Sequence, residues 1–453
     1  AGRLLSYSAT PLERARRLRD SAALEAATGN ELAARERLAS AHELDQSDQE
    51  TLAGYSALLV KQGDDDAAAV LLTRVLPQLP PPTDRRVRAA MWQRLGEVRE
   101  RLRDVRGAAS AFERVLEFDP DRAPLRAMLL ERYGEDPAYE AQAAAHRRIV
   151  LEHDPLNLPC LSAQERLERR AGRTGRADVL AQLHAVATSL AGQGALPPSV
   201  GDPPAPPPLS DSERLLLDHP EAVVLSEVFA ALYEGLPPDQ LADLAALGVD
   251  SSMRVSAMSG GVAATVFAEV ARFVGNRRTA LYLKPGLVAP LLVVRPPTAI
   301  VLSPELAARP RAELRFLVGR ALWLVRPEHA LVIGLTRQRL NSMLMSIVHA
   351  FHPRHAAARA TSDAEGQRLR KILPYKVVRR LTDLFQREVD TAFSSARWRR
   401  GVEHSANRAA LAACRDFTAA ARVLHDEGDD AALVELARFA LSDAYLGLLD
   451  RIV

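Results

Sequence analysis

The feature that most constrains this chain is a small residue that recurs inside helical patterns at an almost constant interval. Ala34, Ala68, Ala108 and Ala143 are separated by 34, 40 and 35 residues, and the longer interval contains a proline-rich insertion at residues 80–83. Such a period is typical of stacked two-helix units, because one unit cannot bury its own apolar face. We therefore expect a helical-repeat array, with helix pairs that turn near Gly29, Gly63 and Gly107.

The third copy of the repeat carries the fullest pattern. A large residue, Leu-Gly, a small residue, an aromatic residue and a terminal proline follow one another as Trp92, Leu95, Gly96, Ala108, Phe112 and Pro120. This spacing predicts that Ala108 lies where two helices cross closely, and that Phe112 fills the adjacent groove. The pattern resembles the tetratricopeptide repeat family. The resemblance implies an α-solenoid whose concave surface holds a protein or peptide partner, and the alternative is a helical spacer without a ligand.

A proline-rich stretch divides the chain. Residues 191–210 contain seven prolines, and such composition predicts a semi-stiff, extended spacer. We accordingly expect repeats over 1–190, a linker over 191–210 and a second domain over 211–453. In that domain, three short apolar runs at 279–283, 291–294 and 299–302 are separated by Pro-Gly and Pro-Pro, which predicts a small sheet within mainly helical surroundings.

Three segments of the second domain follow one another in a specific order. They are the Leu-Ser-Pro-Glu-Leu turn at 302–306 after the last strand, the helix that follows at 311–319, and the Glu-His-Ser-Ala-Asn-Arg stretch at 403–408. This order gives the domain a resemblance to the M48 family of zinc metallopeptidases. It implies an α+β, zincin-like domain. It also implies which positions would form the metal site of an active family member.

Those positions depart from the family pattern. Arg320 stands where the first zinc-ligating histidine is expected, Ala321 replaces the general base, and Leu324 replaces the second histidine. Glu403 remains at the third ligand position, and Asn407 replaces the supporting aspartate. Arginine stays protonated and cannot ligate zinc, and a catalytic zinc needs about three protein ligands.

The departures predict a pseudoenzyme without zinc, other cofactor or catalytic residue. They also predict that Arg320 replaces the missing metal electrostatically, by forming an ion pair with Glu403. The resulting interpretation is a non-catalytic scaffold that binds a protein or peptide partner.

Two histidine groups leave another interpretation open. His349, His352 and His355 are spaced i, i+3, i+6 and could hold a metal, which would make the chain a metal-dependent hydrolase with relocated ligands. Pro353 interrupts the helix between them, and i+6 lies poorly on the same helix face. Glu328-His329 resembles half of a zinc motif but is displaced along the chain. A third possibility is a repeat protein whose second half has an unrelated helical fold.

Composition narrows the class of partner. The formal net charge is +2, which is too small to favour a nucleic-acid partner. No run approaches 18 apolar residues, so we expect no membrane span. The two cysteines, Cys160 and Cys414, form no CxxC motif and are far apart in sequence, which predicts neither a disulfide framework nor a thiolate metal site. A reducing, cytoplasmic location is expected.

Overall fold

A computed structural model describes residues 10–81, 84–134, 136–199, 201, 203–237, 241–256, 260–352, 364–388 and 392–452. Within these residues the chain is mainly helical, with 23 helices and one small mixed sheet of three strands. This confirms the mainly helical class and the small sheet. The chain forms two compact units, Ala1–Val150 and Leu151–Val453, which divide before the proline-rich stretch.

The first unit consists of helices that pack mainly on their neighbours in the chain. Its helices are α1 (Pro11–Ala27), α2 (Glu31–Leu44), α3 (Gln49–Lys61), α4 (Asp65–Val75), α5 (Arg85–Arg101), α6 (Val105–Phe118), α7 (Ala123–Tyr133) and α8 (Glu140–His153), and the division between the units falls inside α8. Short polar side chains begin many of them: Asn30, Asp64 and Asp104 each accept a hydrogen bond from a backbone N–H of the first turn. Such caps satisfy amide groups that have no partner within the helix.

The helix pairs turn where the repeat predicts, with one difference. Gly29 and Gly63 adopt positive φ angles of 84° and 75° between the paired helices, a conformation that glycine adopts without a steric penalty. Gly107 instead lies inside α6, and the corresponding turn is made by Arg103 with a φ of 63°. The third turn therefore comes four residues earlier than the glycine suggested.

The four recurring alanines are all buried. Ala34, Ala68 and Ala108 are 0% exposed and Ala143 is 2% exposed. At the third repeat, a Cβ atom built on Gly96 would lie 2.5 Å from Cε1 of Phe112. The α5–α6 pair can therefore pack this closely only because position 96 lacks a side chain.

The remaining signature residues of the third repeat are also placed by this packing. Leu95 is fully buried, Trp92 is half-buried against the same core, and Pro120 accepts hydrogen bonds from Arg126 through its carbonyl oxygen.

The second unit begins with two helices that the sequence analysis assigned to the repeats. Its elements are α9 (Leu158–Arg170), α10 (Thr174–Ala191), α11 (Asp211–Leu217), α12 (Val223–Gly235), α13 (Val262–Val274), β1 (Ala280–Leu283), β2 (Leu291–Val293), β3 (Ala299–Leu302), α14 (Pro304–Ala307), α15 (Arg311–Leu324), α16 (Ala330–Gly334), α17 (Arg337–Phe351), α18 (Ala364–Ile372), α19 (Tyr375–Arg387), α20 (Ser395–Cys414), α21 (Phe417–Asp426), α22 (Asp430–Ala440) and α23 (Asp443–Ile452). Helix α10 packs on α21 and α23. Arg176 on α10 binds Asp450 at 2.6 Å, and Gln182 accepts from the Phe417 backbone amide at 2.6 Å.

The proline-rich stretch lies against the second unit. Its described residues after the end of α10 at Ala191 form no helix or strand, but several of their carbonyl oxygens accept hydrogen bonds from side chains of α15 and of the α20–α21 region. Arg315 donates to Pro203 at 2.5 Å, Arg422 donates to Leu196 at 3.3 Å, and Arg415 donates to Pro204. These contacts hold Leu196, Pro203 and Pro204 against the second unit.

The sheet has the order β1-β3-β2. Strands β1 and β3 are parallel, and β2 is antiparallel to β3, with Leu291 opposite Val301, Leu292 opposite Ile300 and Val293 opposite Ala299. The three strands lie where the apolar runs predicted them. Strand β3 is buried over all four residues, as expected for the central strand.

Candidate functional site

A cleft of about 400 Å³ lies beside strand β2. We call it the β2 cleft. Its lining is mostly apolar and comes from β2, from α15 and from α16: Leu291, Leu292, Val294, Leu317, Leu324 and Ile333. Arg320 and Glu427 are the charged residues among the described lining residues. A concave, mainly apolar site with a few polar groups is the usual form of a ligand site.

The position of α15 is fixed by a close helix crossing. A Cβ atom built on Gly319 would lie 2.9 Å from Cα of Ala410 on α20, so only glycine permits this approach. From Ala312 to Val325, every residue of the segment is buried except Arg320. Arg320 is therefore the one charged residue that α15 presents to the cleft, beside the apolar Leu317, Ala321 and Leu324.

The predicted ion pair between Arg320 and Glu403 is wrong. The Arg320 guanidinium binds Glu427 just beyond the end of α21, at 2.6 Å, while Glu403 binds Arg399 one turn earlier on its own helix, at 3.0 Å. The Glu403 side chain is 48% exposed, so water already solvates its charge. It therefore needs no buried cation to compensate it.

The other positions implied by the peptidase resemblance are divided between the cleft and the interior. Ala321 and Leu324 line the β2 cleft next to Arg320. Asn407 is 3% exposed, and its Oδ1 atom has no hydrogen-bond partner in the described part of the chain. Neither Asn407 nor Glu403 is among the residues that line the cleft.

The structure separates the remaining histidines from the cleft. His352 is 3% exposed and lies edge-on to the rings of Phe385 and Phe393, and His349 lies one turn earlier on α17. His355 and Pro353 lie outside the described residues. Over the described ranges, no group of three or more histidine, cysteine, aspartate or glutamate side chains could hold a metal ion.

Glu328 and His329 form no part of the cleft either. His329 is 1% exposed, and its Nδ1 atom lies 3.1 Å from the Trp323 carbonyl oxygen. Burial lowers the pKa of His329 to about 4, so the ring is neutral at pH 7. Glu328 forms an ion pair with Arg326. Cys160 and Cys414 are buried, and neither forms a disulfide.

The outer edge of β2 offers main-chain hydrogen-bonding groups. In β3, the Thr298 and Leu302 carbonyls accept from β1, so residues 299 and 301 direct their N–H and C=O groups toward β2. Their partners Val293 and Leu291 therefore face β3. Leu292 lies between them, so its N–H and C=O groups point outward, away from β3.

These outward groups differ in whether they have a partner. The carbonyl oxygen of Val294, two residues further on the same side, accepts from the Tyr233 hydroxyl. Leu292 itself has no such contact with any described residue. By contrast, the outer edge of β1 is covered, because Arg254 pairs with Tyr282 and the Val255 amide donates to Leu281.

The sequence analysis did not anticipate Glu427 or the free edge of β2. Glu427 carries no motif and follows Asp426 at the end of an ordinary amphipathic helix. The free edge depends on strand order, which a sequence of three short apolar runs does not specify. Pro290, directly before β2, was the one available signal, since proline inside sheets is largely confined to edge strands and strand starts.

Comparison with known proteins adds no family assignment. No protein-family model matches the chain, and no curated protein matches it. Among the described residues, no helix is long and apolar enough to cross a membrane.

Proposed function

We propose that this protein is a non-catalytic scaffold that binds protein segments. The repeats of the first unit, which resemble tetratricopeptide repeats, provide one binding surface. The β2 cleft of the second unit, which resembles a peptidase domain without its metal ligands, provides another. The free edge of β2 beside an apolar cleft is the observation that carries the proposal.

An extended peptide fits this edge by adding a strand to the sheet. The outward N–H and C=O groups of Leu292 would pair with the peptide backbone, and the cleft would receive alternate side chains of the peptide. The apolar lining favours aliphatic or aromatic side chains at those positions. Peptide binding of this kind requires no bond-breaking step from the residues in the cleft. The two charged residues there, Arg320 and Glu427, form an ion pair with each other.

The test uses the full chain and a displayed library of extended peptides. The wild type should select peptides with apolar residues in alternation. Leu292→Pro removes the outward N–H and leaves the β2–β3 hydrogen bonds of Leu291 and Val293 in place. This substitution should lower the affinity for the selected peptides by about tenfold or more. Such a decrease corresponds to the loss of roughly one well-formed hydrogen bond or slightly more.

Leu292→Val is the matched control, since it keeps the N–H group and suits a strand. It should bind the selected peptides within about threefold of the wild type. If Leu292→Pro binds as tightly as the control, or if the wild type selects no peptide, the β2 cleft is not a peptide site.

Metal analysis separates the scaffold from a hydrolase with relocated ligands. Protein dialysed against a weak chelator should contain far less than one zinc per chain and should not cleave casein. About one retained zinc per chain would favour the hydrolase, because a site with three protein ligands holds zinc tightly.

A further inference from the structure

A second cavity lies at the opposite edge of the sheet from the β2 cleft, beside β1. It has a volume of about 760 Å³ and is formed by α13, by the start of β1 and by the segment that pairs with β1. We call it the α13 pocket. Its size is within the range of sites for small organic ligands, about 300–1,000 Å³.

Three arginines from different parts of the chain line the α13 pocket. Arg272 lies in the last turn of α13, and Arg277 follows the left-handed Gly275 that ends this helix. Arg254 is held at the pocket by its pairing with Tyr282 and by the neighbouring Val255 amide. Two fixed elements and one tight turn therefore bring the three side chains to one cavity.

Among the described residues, no acidic side chain pairs with these arginines. The side chains of Arg254, Arg272 and Arg277 form no hydrogen bond or ion pair across the described ranges. The single acidic residue among the described lining residues is Glu269, and it already binds two other cations, Arg311 at 2.5 Å and Arg315 at 3.0 Å. Three like charges around one cavity repel one another, and an anion between them would remove that cost.

The rest of the lining is suited to the apolar part of a ligand. Phe267 is half-buried and lies on the pocket wall, together with small and aliphatic side chains from α13 and β1: Ala264, Ala271 and Leu281. An inorganic ion would leave this surface in water. A ligand with an anionic group and an apolar body would cover this surface, and removal of apolar surface from water favours binding.

We infer that the α13 pocket binds a small organic anion, with its charged group among Arg254, Arg272 and Arg277 and its apolar body against Phe267. Guanidinium groups suit this task, because their planar donors bind carboxylate, phosphate or sulfonate oxygens in pairs. The site is separate from the β2 cleft and does not depend on the proposed peptide binding.

The inference is tested with a matched pair of fluorescent probes on the full chain. 8-Anilinonaphthalene-1-sulfonate carries an anionic group on an aromatic body, and N-phenyl-1-naphthylamine has a closely similar body without the charge. The sulfonate should bind at a saturable site, and its affinity should fall as ionic strength rises. The neutral probe should bind at least about tenfold more weakly, a difference expected for lost charge-assisted hydrogen bonds.

Variants assign the binding to the pocket. Arg272→Gln with Arg277→Gln should weaken sulfonate binding by about tenfold or more, and Arg254→Gln should weaken it in the same direction. Arg278→Gln removes an adjacent exposed charge that does not line the pocket, and Arg320→Gln removes the charge in the β2 cleft. Both should stay within about twofold of the wild type.

Three results would overturn the inference. They are absence of saturable sulfonate binding, equal affinity for the neutral probe, and unchanged affinity in the Arg272→Gln, Arg277→Gln double variant. Loss of binding in Arg320→Gln instead would place the probe in the β2 cleft and would also contradict the inference. Because all three pocket arginines are exposed and unpaired, the variants should fold as the wild type does, which circular dichroism will check.

Discussion

At the scale of single residues, Arg320 illustrates how an arginine is accommodated beside an apolar cleft. Its guanidinium binds Glu427 and lies about 6.0 Å from the centre of the Phe316 ring. The side chains of Arg320 and Glu427 are 26% and 33% exposed, so water still solvates part of the pair. A partly solvated pair of this kind contributes little to stability, since solvation of the separated charges competes with their attraction.

Arg320→Ala should therefore lower the free energy of unfolding by less than about 1 kcal/mol. Urea denaturation followed by tryptophan fluorescence measures this, because the buried Trp323 and Trp398 both lie in the second unit. Arg399→Ala, which breaks the surface pair with Glu403, is the matched control and should have a similarly small effect. A loss of about 3–5 kcal/mol for Arg320→Ala alone would mean that the pair is effectively buried.

The error over Arg320 shows which part of the site the sequence could specify. The register of α15 and the Gly319–Arg320 order follow from the linear pattern. The partner of Arg320 depends on how α20 and α21 are rotated about their axes. Glu403 lies on an exposed face of α20, and nothing in its local sequence separates that orientation from an inward one.

His329 gives the second unit a predictable dependence on pH. Burial lowers its folded-state pKa to about 4, below the value of about 6.5 in an unfolded chain. As the pH falls from about 6.5 toward 4, the unfolded state binds a proton that the folded state does not, so stability decreases by up to about 1.4 kcal/mol per pH unit.

Replacing His329 by Gln should remove up to about one proton from the uptake on unfolding between pH 6.5 and 4. The free energy of unfolding should therefore fall less steeply as the pH falls. The measurement is the urea-unfolding free energy of the second unit at pH 7, 6 and 5. His425→Gln, at a side chain that is 53% exposed, serves as the control and should leave the slope unchanged. An identical slope in His329→Gln would show that His329 does not control the acid loss.

At the scale of elements, the α5–α6 pair depends on contact between Gly96 and Phe112. The sequence predicted that this pair packs closely, because glycine and a small residue occur at helix-facing positions. It could not predict that Gly107 lies within α6, since glycine is compatible with a turn and with a helix start alike. The Asp104 side chain, which accepts from the Gly107 amide at 2.9 Å, begins the helix before that glycine.

Gly96→Ala should destabilise the first unit by about 1–3 kcal/mol, since the new methyl group would overlap the Phe112 ring. Gly54→Ala is the control within the same unit. Its Cβ would lie 3.7 Å from Leu38, an ordinary contact, so the higher helix propensity of alanine should stabilise the unit by up to about 1 kcal/mol. Thermal unfolding of both variants is the measurement. A neutral Gly96→Ala would contradict the close packing.

At the scale of the whole molecule, the boundary between units follows contacts rather than composition. A proline-rich stretch predicts a spacer when its backbone is solvated, but here arginine side chains bind its carbonyl groups. The sequence does not predict these hydrogen bonds, because nothing in it distinguishes an arginine that binds a carbonyl oxygen from an arginine on the protein surface. The packing of α10 on α21 and α23, and of α9 on α10, explains why these two helices, which resemble one more repeat, belong to the second unit.

Two fragments test this boundary. Residues 151–453 should unfold cooperatively, since they retain the contacts of α10 with α21 and α23. Residues 211–453 expose the α21 surface that α10 covers and should aggregate or lose cooperative unfolding. Calorimetry and size-exclusion chromatography make the comparison. If both fragments unfold cooperatively and neither aggregates, the boundary between the units lies at the proline-rich stretch instead.

Hydrogen exchange at the Leu292 amide tests the central claim, that the β2 cleft holds an extended protein segment, most directly. In the free protein this amide points away from the sheet and should exchange rapidly. When a peptide selected by the wild type is bound, pairing with the peptide backbone should slow its exchange by at least about tenfold. The claim would be contradicted if the exchange rate of the Leu292 amide did not change and the peptide protected only amides of the first unit.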